Sequence, residues 1–547
     1  MSVTAVEPRP RLGLPRRDHA TPSGDRVSVV GLTIFSAAFL GAFGPWFLTS
    51  RAVSDVGIIV GSASRILDGQ VPYRDFFLFI GPVGPLLTAA WFALLGQGAL
   101  SMIAFTVVVG VAIVLGTYWI ARHLVPPRWA VGAAGVSLTL GPLFWFTLSH
   151  HWFATLFMVL ATGAALRAND RPTSLLWPLL AGACCSLAGL SHQGRGGLEL
   201  FGLLAALWLF GGDGSRLRRV GAAVVGSALA AAVVLGPLAV LVGPATLVYS
   251  LISFVLSEYP KANQVSYLAF DLVPSGLSVS GLQGTLQSVL AFGALAVGPL
   301  GLVALALRAR HWRAYGQQRR ASRAVTLLAL GGAAWLGALY HPSAVHLGYV
   351  APWFMTAWAA VFWDLVESPW LAIRRFVRPS LVGAAFAWLT FLPLPHWYAL
   401  ASGGIVWVAT PTGPTPLGIQ WDADRLSGSF PEVASFVLAN TSEGEAVAFF
   451  PARTVNNVLL RRPNPIRFDL VAAGENTDAQ LAEVVADLTV ARRARYVIVE
   501  TEVAERIVAQ GVTDEDLHQG RQSMQALRAR LPLVWANGVV EIRQAPP

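Results

Sequence analysis

Long apolar stretches recur along the first 395 residues, and they constrain the fold more than any other feature of the sequence. Three of them, 28–49, 217–242 and 286–307, match or exceed the roughly 20 residues with which an apolar helix crosses about 30 Å of hydrocarbon. Only 13% of the 547 residues are charged, whereas a soluble domain has about 25%. These features exclude a soluble globular protein and predict a polytopic α-helical membrane protein.

The arginines in the short loops predict the orientation of the chain. Cytoplasmic loops carry an excess of Lys and Arg, and residues 1–27 hold five Arg, so this basic tail is predicted to be cytoplasmic. Segment 80–96 is rich in Gly and Pro, and its length alone does not decide whether it crosses the membrane. If 80–96 does not cross, 21 basic residues before residue 380 lie inside and five outside, whereas a crossing places the densest arginine clusters outside. We therefore expect eleven transmembrane helices, near 28–49, 101–121, 129–147, 152–167, 174–191, 197–211, 217–242, 286–307, 325–340, 343–364 and 380–395.

The same orientation assigns the remaining segments. Loops 50–79 and 243–285 are predicted to be external, and the second, the longest, is expected to be mobile and to order over a bound substrate. Residues 396–420 are predicted to be a linker. Residues 421–547 have the composition of a soluble domain and are predicted to form a small α/β domain outside the membrane.

Short patterns predict the elements of this C-terminal region. EAVAFF, NVLL and RYVIVE indicate short buried strands. TDAQLAEVVADLTVARRA indicates an amphipathic helix that begins at Thr477 or Asp478. LVWANGVVEI, with Asn537-Gly538 between two apolar runs, is typical of a β-hairpin.

Ionisable residues other than arginine concentrate in the predicted external loops. Acids and histidines near the bilayer are costly unless they face a cavity and have partners, so we expect any chemistry to occur on the outer face. The two cysteines, Cys184 and Cys185, are adjacent inside an apolar span and predict neither a disulfide framework nor a metal site. The external loops contain Asp55, Asp68, Asp75, His150, His151, His192, Arg195, Glu199, Glu258, Lys261, Asp271, His341 and His346.

The first external loop resembles that of a known enzyme class. The run SDVGIIVGSASRILDGQVPYRDFFLFIGPVGPLL is similar to the corresponding loop of GT-C membrane glycosyltransferases of the protein O-mannosyltransferase and aminoarabinose-transferase type. The stretches LSHQGRGGLELF, HPSAVHLGYVAPW and LLRRPNPIRFDL also fit bacterial members of this class. The matching positions of the loop are Asp55, Gly69, Pro72, Tyr73, Asp75, Phe76, Pro82 and Pro85.

The chain departs from this class at two positions of the loop. Many relatives have Asp-Glu where this sequence has Asp55-Val56, and many have a basic residue where it has Ile80-Gly81-Pro82. The second difference concerns contacts with donor or acceptor and leaves the expected fold unchanged.

The resemblance implies a fold and an activity. A GT-C-like transmembrane domain is expected over 28–395. The expected activity is transfer of a sugar from a polyprenyl phosphate to an acceptor hydroxyl, with inversion, on the outer face of a bacterial inner membrane. The acceptor is a glycan, a lipid or a protein, and no nucleic acid is involved. A transporter or flippase of a lipid-linked saccharide and a non-catalytic membrane scaffold are the alternatives.

The resemblance also suggests roles for individual residues. Asp55 is the candidate catalytic base, and Asp75 is the next carboxylate. Asp55 could instead cap the helix that follows it, and Asp75 could form a turn or pair with Arg74. The candidate substrate and phosphate contacts are Tyr73, Arg74, His192, Arg195, Lys261 and His346.

These cationic candidates have structural alternatives as well. Arg195 could extend from the interface along apolar surface, and Lys261 could be a solvated loop charge. His150-His151 lack a neighbouring carboxylate in sequence, so no metal site is predicted from them. Whether a divalent cation takes part is left open.

Overall fold

A computed structural model describes most of the chain. The described residues are 22–46, 53–143, 146–210, 215–259, 293–367, 401, 405–418, 425–450, 454–471, 476–491, 493–500, 522 and 525–545. Lys261, the last predicted span at 380–395, and most of the external loop 243–285 lie outside these residues.

Helices dominate the described part of residues 22–367. One helix, Pro244–Val248, leads directly into a π-helical segment, Tyr249–Glu258. The α-helices are α1 (Pro22–Ala42), α2 (Val53–Leu67), α3 (Val83–Leu95), α4 (Ala99–Arg122), α5 (Pro127–Leu140), α6 (His150–Asp170), α7 (Leu176–Gly189), α8 (Gln193–Phe210), α9 (Arg216–Val242), α10 (Pro244–Val248), α11 (Gly298–Ala314), α12 (Gln318–Leu336), α13 (Ala344–Gly348) and α14 (Ala351–Glu367).

The predicted apolar spans correspond to these helices. Each of the ten predicted spans before residue 367 overlaps a helix, although α1 begins at Pro22 and the span 343–364 is broken into α13 and α14. Among the described residues, five helices are long and apolar enough to cross a membrane by length and composition. On helix α9 the exposed fraction is 74% for Val233 and 85% for Val240, as expected of side chains that face lipid. The protein is therefore a helical membrane protein, as its sequence predicts.

One end of the helix bundle is held together by arginines, and we call it the arginine end. Arg122, at the end of α4, pairs with Asp25 of α1 at 2.7 Å. Arg323 of α12 pairs with Asp170, the last residue of α6, at 2.6 Å, and His123 contacts the same carboxylate at 3.1 Å. These helix ends are those that the charge distribution predicts to be cytoplasmic.

Helix α3 is the segment whose crossing is in question. Its 13 residues span about 20 Å at 1.5 Å per residue, short of a 30 Å hydrocarbon layer. The Val83 amide donates to the carbonyl of Leu190 after α7 at 3.1 Å, and Trp91 donates to Ser101 in the first turn of α4 at 3.0 Å. Both contacts lie opposite the arginine end, which supports the prediction that 80–96 does not cross.

The C-terminal domain, which we define as residues 425–545, is a small α/β unit. Its sheet has four strands among the described residues, in the spatial order Val447–Phe450, Tyr496–Glu500, Val540–Gln544 and Leu533–Ala536. The first pair is parallel, and the other two pairs are antiparallel. An antiparallel hairpin of Ile405–Thr410 with Gly413–Gly418 precedes it and lies within the segment predicted to be a linker, 396–420. The elements are β1 (Ile405–Thr410), β2 (Gly413–Gly418), α15 (Arg425–Asn440), β3 (Val447–Phe450), α16 (Thr454–Leu460), α17 (Asp478–Thr489), β4 (Tyr496–Glu500), β5 (Leu533–Ala536) and β6 (Val540–Gln544).

Most of the predicted elements of this domain are confirmed. EAVAFF and RYVIVE contain β3 and β4. Thr477 caps α17 in a capping box with Gln480. The β5–β6 hairpin turns at Asn537-Gly538, where Gly538 has a φ of +86° that glycine adopts without strain. The strand predicted for NVLL is wrong, because these residues form the end of α16, and so short an apolar run has no period that separates helix from strand.

Candidate active site

Four histidines meet at the end of the bundle opposite the arginine end, and we call this the histidine end. His150 and His151 begin α6, with ring centroids 4.1 Å apart. His192, just before α8, lies 5.5 Å from His150 and 4.8 Å from His151. His346 of α13 lies 4.8 Å from His151. The structure therefore brings together His192 and His346, which the sequence proposes as substrate contacts.

One tyrosine of this cluster interacts electrostatically with the candidate base. The ring of Tyr349, which directly follows α13, stacks on His151 with centroids 4.7 Å apart. The Tyr349 side chain is buried and interacts electrostatically with Asp55. Asp55 is half-buried in the first turn of α2. The helix begins at Val53, before Asp55, so Asp55 is not the residue that precedes and caps it.

Arg195 is a buried positive charge at the histidine end. Its side chain is fully buried, and its guanidinium donates to the carbonyl oxygen of His151 at 3.3 Å and to the Thr155 hydroxyl at 3.1 Å. The guanidinium also lies 5.3 Å from the centroid of the Tyr349 ring. One turn further along α8, the buried carboxylate of Glu199 interacts electrostatically with it. Arg195 thus extends from α8 into the protein interior against α6, and its side chain does not lie on exposed apolar surface.

Tyr73, Arg74 and Asp75 form a turn of their own. The Asp75 carboxylate accepts hydrogen bonds from Arg74 at 2.8 Å and from the Val71 amide at 2.7 Å. The Arg74 guanidinium and this amide lower the pKa of Asp75 to about 2. Tyr73 has a φ of +69°, and its buried hydroxyl donates to the carbonyl of Ile80 at 2.9 Å. These contacts support the turn-forming alternative, and none of them joins Arg74 or Asp75 to the histidine end.

The remaining contacts of the cluster orient two of its rings. His192 Nε2 lies 3.0 Å from the Tyr340 hydroxyl. His346 Nδ1 lies 2.9 Å from the Ser343 hydroxyl and 2.9 Å from His341 Nδ1. A hydrogen bond on one ring nitrogen fixes the role of the other.

The C-terminal domain fixes the helix that carries Asp55. Arg65 of α2 pairs with Asp469 at 3.0 Å, and both side chains are buried. The Thr454 hydroxyl of α16 donates to the carbonyl of Gly57 at 2.8 Å. A Cβ at Gly61 falls 2.9 Å from the same hydroxyl, so the small residue allows this close approach.

Comparison with solved structures identifies the fold. ArnT from Cupriavidus metallidurans bound to undecaprenyl phosphate matches with a TM-score of 0.59 and 12% identity, over 96% of this chain and 100% of that chain. The apo state of the same protein matches with a TM-score of 0.56 and 13% identity, over 95% and 99% of the two chains. The Archaeoglobus fulgidus oligosaccharyltransferase, tethered to an acceptor peptide, matches with a TM-score of 0.52 and 15% identity, over 90% and 72%.

The chain has the GT-C fold. The resemblance found in loop 50–79 is confirmed at this level. A scan against protein-family models finds no match, and a search of the curated proteins finds none either.

Within the GT-C fold, sequence reasoning missed two parts of the site. Tyr349 lies inside the stretch HPSAVHLGYVAPW, but its phenol is not charged at neutral pH and was not among the predicted site residues. The Arg65–Asp469 pair joins residues 404 apart in sequence, and no local pattern relates them. Asp469 does belong to LLRRPNPIRFDL, which was the one available signal.

The histidine end and the first turn of α2 together offer three kinds of chemical group. Asp55 offers a carboxylate that can accept a proton. Arg195 offers a buried positive charge. The imidazoles offer nitrogen atoms that donate hydrogen bonds or hold a metal ion, and His150, His151 and His192 have nitrogen atoms within 4.8 Å of one another.

Proposed function

We propose that this chain is a glycosyltransferase that moves a sugar from a polyprenyl phosphate to an acceptor hydroxyl. The observation that carries the proposal is the placement of Asp55 at the histidine end, within electrostatic reach of Tyr349, in a GT-C fold. That a solved structure with this fold holds undecaprenyl phosphate supports a polyprenyl phosphate as the carrier of the sugar.

The reaction needs one base and stabilisation of a departing phosphate. The acceptor oxygen attacks the anomeric carbon, and Asp55 takes the proton of that hydroxyl. The bond between the anomeric carbon and the phosphate oxygen breaks, and its electron pair leaves with the polyprenyl phosphate. A single displacement inverts the anomeric centre. The phosphate is a good leaving group, so the second carboxylate of a glycoside hydrolase has no counterpart here.

The positive charge of Arg195 stabilises the negative charge that develops on the phosphate. Arg195 is 1% exposed, and charge interactions strengthen where water is excluded. The imidazole of His346 supplies a further donor. The charge distribution supports a cytoplasmic arginine end, and we infer that the proposed reaction and the C-terminal domain lie on the outer face of a bacterial inner membrane.

The Asp55→Asn variant tests the proposed base. The purified full-length protein in lipid nanodiscs is given undecaprenyl-phosphate-linked sugars and the envelope glycans of the source cells as acceptors, and transfer is measured by mass spectrometry. We expect a rate loss of about 10²- to 10⁴-fold in Asp55→Asn, because Asn cannot take the proton. Asp478→Asn makes the same change in the first turn of α17 and is expected to leave the rate unchanged.

Two results would count against the proposal. Retention of more than about a tenth of the wild-type rate in Asp55→Asn removes Asp55 as the base. Envelope glycans that are identical in a deletion strain and its parent, together with no transfer in nanodiscs, favour the transporter or scaffold alternative instead.

A further inference from the structure

Three imidazoles at the histidine end turn nitrogen atoms towards one another. His150 and His151 begin α6, and His192 precedes α8, so two helix starts bring them together. Their potential ligand atoms all lie within 4.8 Å of one another. The Nδ1 atoms of all three rings are buried without a hydrogen-bond partner among the described residues. Buried polar atoms are normally paired, so three neighbouring exceptions point to a shared partner.

The charge of the surroundings favours neutral imidazoles. Three imidazolium ions within about 5 Å would repel one another strongly at low dielectric. The guanidinium of Arg195, which donates to the carbonyl oxygen of His151 at 3.3 Å, adds a fourth positive charge. Neutral imidazoles avoid this repulsion, and a neutral imidazole presents a lone pair, which is the form that binds metal ions.

The Tyr340 contact prepares one ring for this role. A metal-binding histidine usually gives its other ring nitrogen to a hydrogen-bond partner, which fixes the tautomer and the ring orientation. His192 Nε2 lies 3.0 Å from the Tyr340 hydroxyl, which leaves Nδ1 as the free ligand atom. His346 differs, because its Nδ1 already contacts Ser343 and His341.

We propose that His150, His151 and His192 together bind one divalent transition-metal ion of the Zn²⁺ type. Nitrogen atoms that share a tetrahedral Zn²⁺ at 2.0–2.1 Å lie about 3.4 Å apart, so the rings converge by about an ångström when the ion binds. Three imidazoles leave the fourth position open for an oxygen ligand, as in catalytic zinc sites. Tight binding of Mg²⁺ at this site is not expected, because Mg²⁺ prefers oxygen ligands to imidazole nitrogen.

The open position gives the ion a place in the reaction. An ion held by His150, His151 and His192 would offer its open position to a phosphate oxygen of the donor lipid. This role rests on the proposed function, whereas metal binding stands on the three imidazoles alone.

Titration with Co²⁺ tests the site directly. The full-length protein is purified in detergent, treated with a chelator and titrated with Co²⁺, whose visible absorption reports tetrahedral nitrogen ligands. We expect one Co²⁺ per chain, displaced by Zn²⁺ and not by millimolar Mg²⁺. His192→Gln keeps a group that contacts Tyr340 but has no imidazole lone pair, and we expect its Co²⁺ affinity to fall at least about 100-fold.

The controls separate the metal site from folding and from activity. His311→Ala changes a histidine of α11 that contacts Tyr315 at the arginine end and is expected to bind Co²⁺ like the wild type. Equal thermal unfolding of His192→Gln and wild type without metal shows that the fold is kept, and where His192→Gln unfolds early, His150→Gln replaces it.

The outcomes distinguish the two proposals. No stoichiometric Co²⁺ binding, or equal affinity in the wild type and both Gln variants, overturns the metal site whatever the transfer assay gives. Co²⁺ binding with no sugar transfer leaves the metal site standing and counts against the proposed function.

Discussion

Replacing Asp469 by Ala tests how firmly the C-terminal domain holds helix α2. The Asp469 side chain is 2% exposed and accepts hydrogen bonds from Arg65 at 3.0 Å, Ser62 at 3.2 Å and Asn464 at 3.3 Å. Alanine leaves the Arg65 charge buried without its carboxylate. Removing one partner of a buried ion pair costs about 3–5 kcal/mol. We expect the free energy of undocking the domain from α2 to fall by about this amount.

Hydrogen exchange measured by mass spectrometry reports this undocking. The Phe77 amide donates to the carbonyl of Arg467 at 2.8 Å and so bridges the loop and the C-terminal domain. A loss of 3–5 kcal/mol corresponds to exchange that is faster by about two to almost four orders of magnitude, since 1.36 kcal/mol is one decade.

Two variants control for this result. Glu443→Ala removes a pair with Arg461 in which both side chains are more than half exposed, so exchange is expected to rise by less than about fivefold. The double variant Arg65→Met/Asp469→Leu removes both charges and is expected to recover most of the protection, because the buried unpaired charge is gone. Exchange of Asp469→Ala within threefold of wild type, or a double variant as fast as the single one, refutes the reasoning.

Three further changes follow from the structure. Gly81→Ala places a Cβ 1.9 Å from the Leu190 carbonyl oxygen, so we expect a loss of about 1–3 kcal/mol and a lower thermal unfolding midpoint; an unchanged midpoint contradicts the close approach. Arg74 lowers the pKa of Asp75 to about 2, so this carboxylate stays ionised above pH 4. Asp75→Asn is therefore expected to leave the shape of the pH–rate profile between pH 4.5 and 8 unchanged. Loss of the acidic limb of that profile would restore Asp75 as a catalytic candidate. Thr477→Ala removes the cap of α17 and is expected to cost about 1 kcal/mol in chemical denaturation of the protein, whereas a loss below 0.3 kcal/mol contradicts the capping box.

The sequence predicted what local chemistry determines. Apolar length located the membrane helices, arginine clusters located the arginine end, and Asn537-Gly538 located a hairpin. The acids and histidines of the external loops indicated where His192 and His346 meet. These features depend on neighbours along the chain or on the choice between lipid and water.

What the sequence left open depends on contacts between distant segments. The hydrogen bonds that Asp75 accepts from Arg74 and Val71 support a turn-forming role, and the sequence alone could not show them. The burial of Arg195 depends on the helix α6 against which it packs. The hairpin in the predicted linker pairs residues such as Val408 and Thr415, and the Pro and Gly residues of this segment concealed it.

The pairing of Arg65 with Asp469 also sets an order of events during synthesis. The two residues are 404 positions apart, and a ribosome adds about 5–20 residues per second. Asp469 is therefore synthesised about 20–80 s after Arg65. An unpaired arginine is costly inside hydrocarbon, which keeps the nascent α2 at the aqueous surface during this time. A chain that terminates before residue 469 can insert its membrane helices, yet it lacks the carboxylate that fixes the helix carrying Asp55.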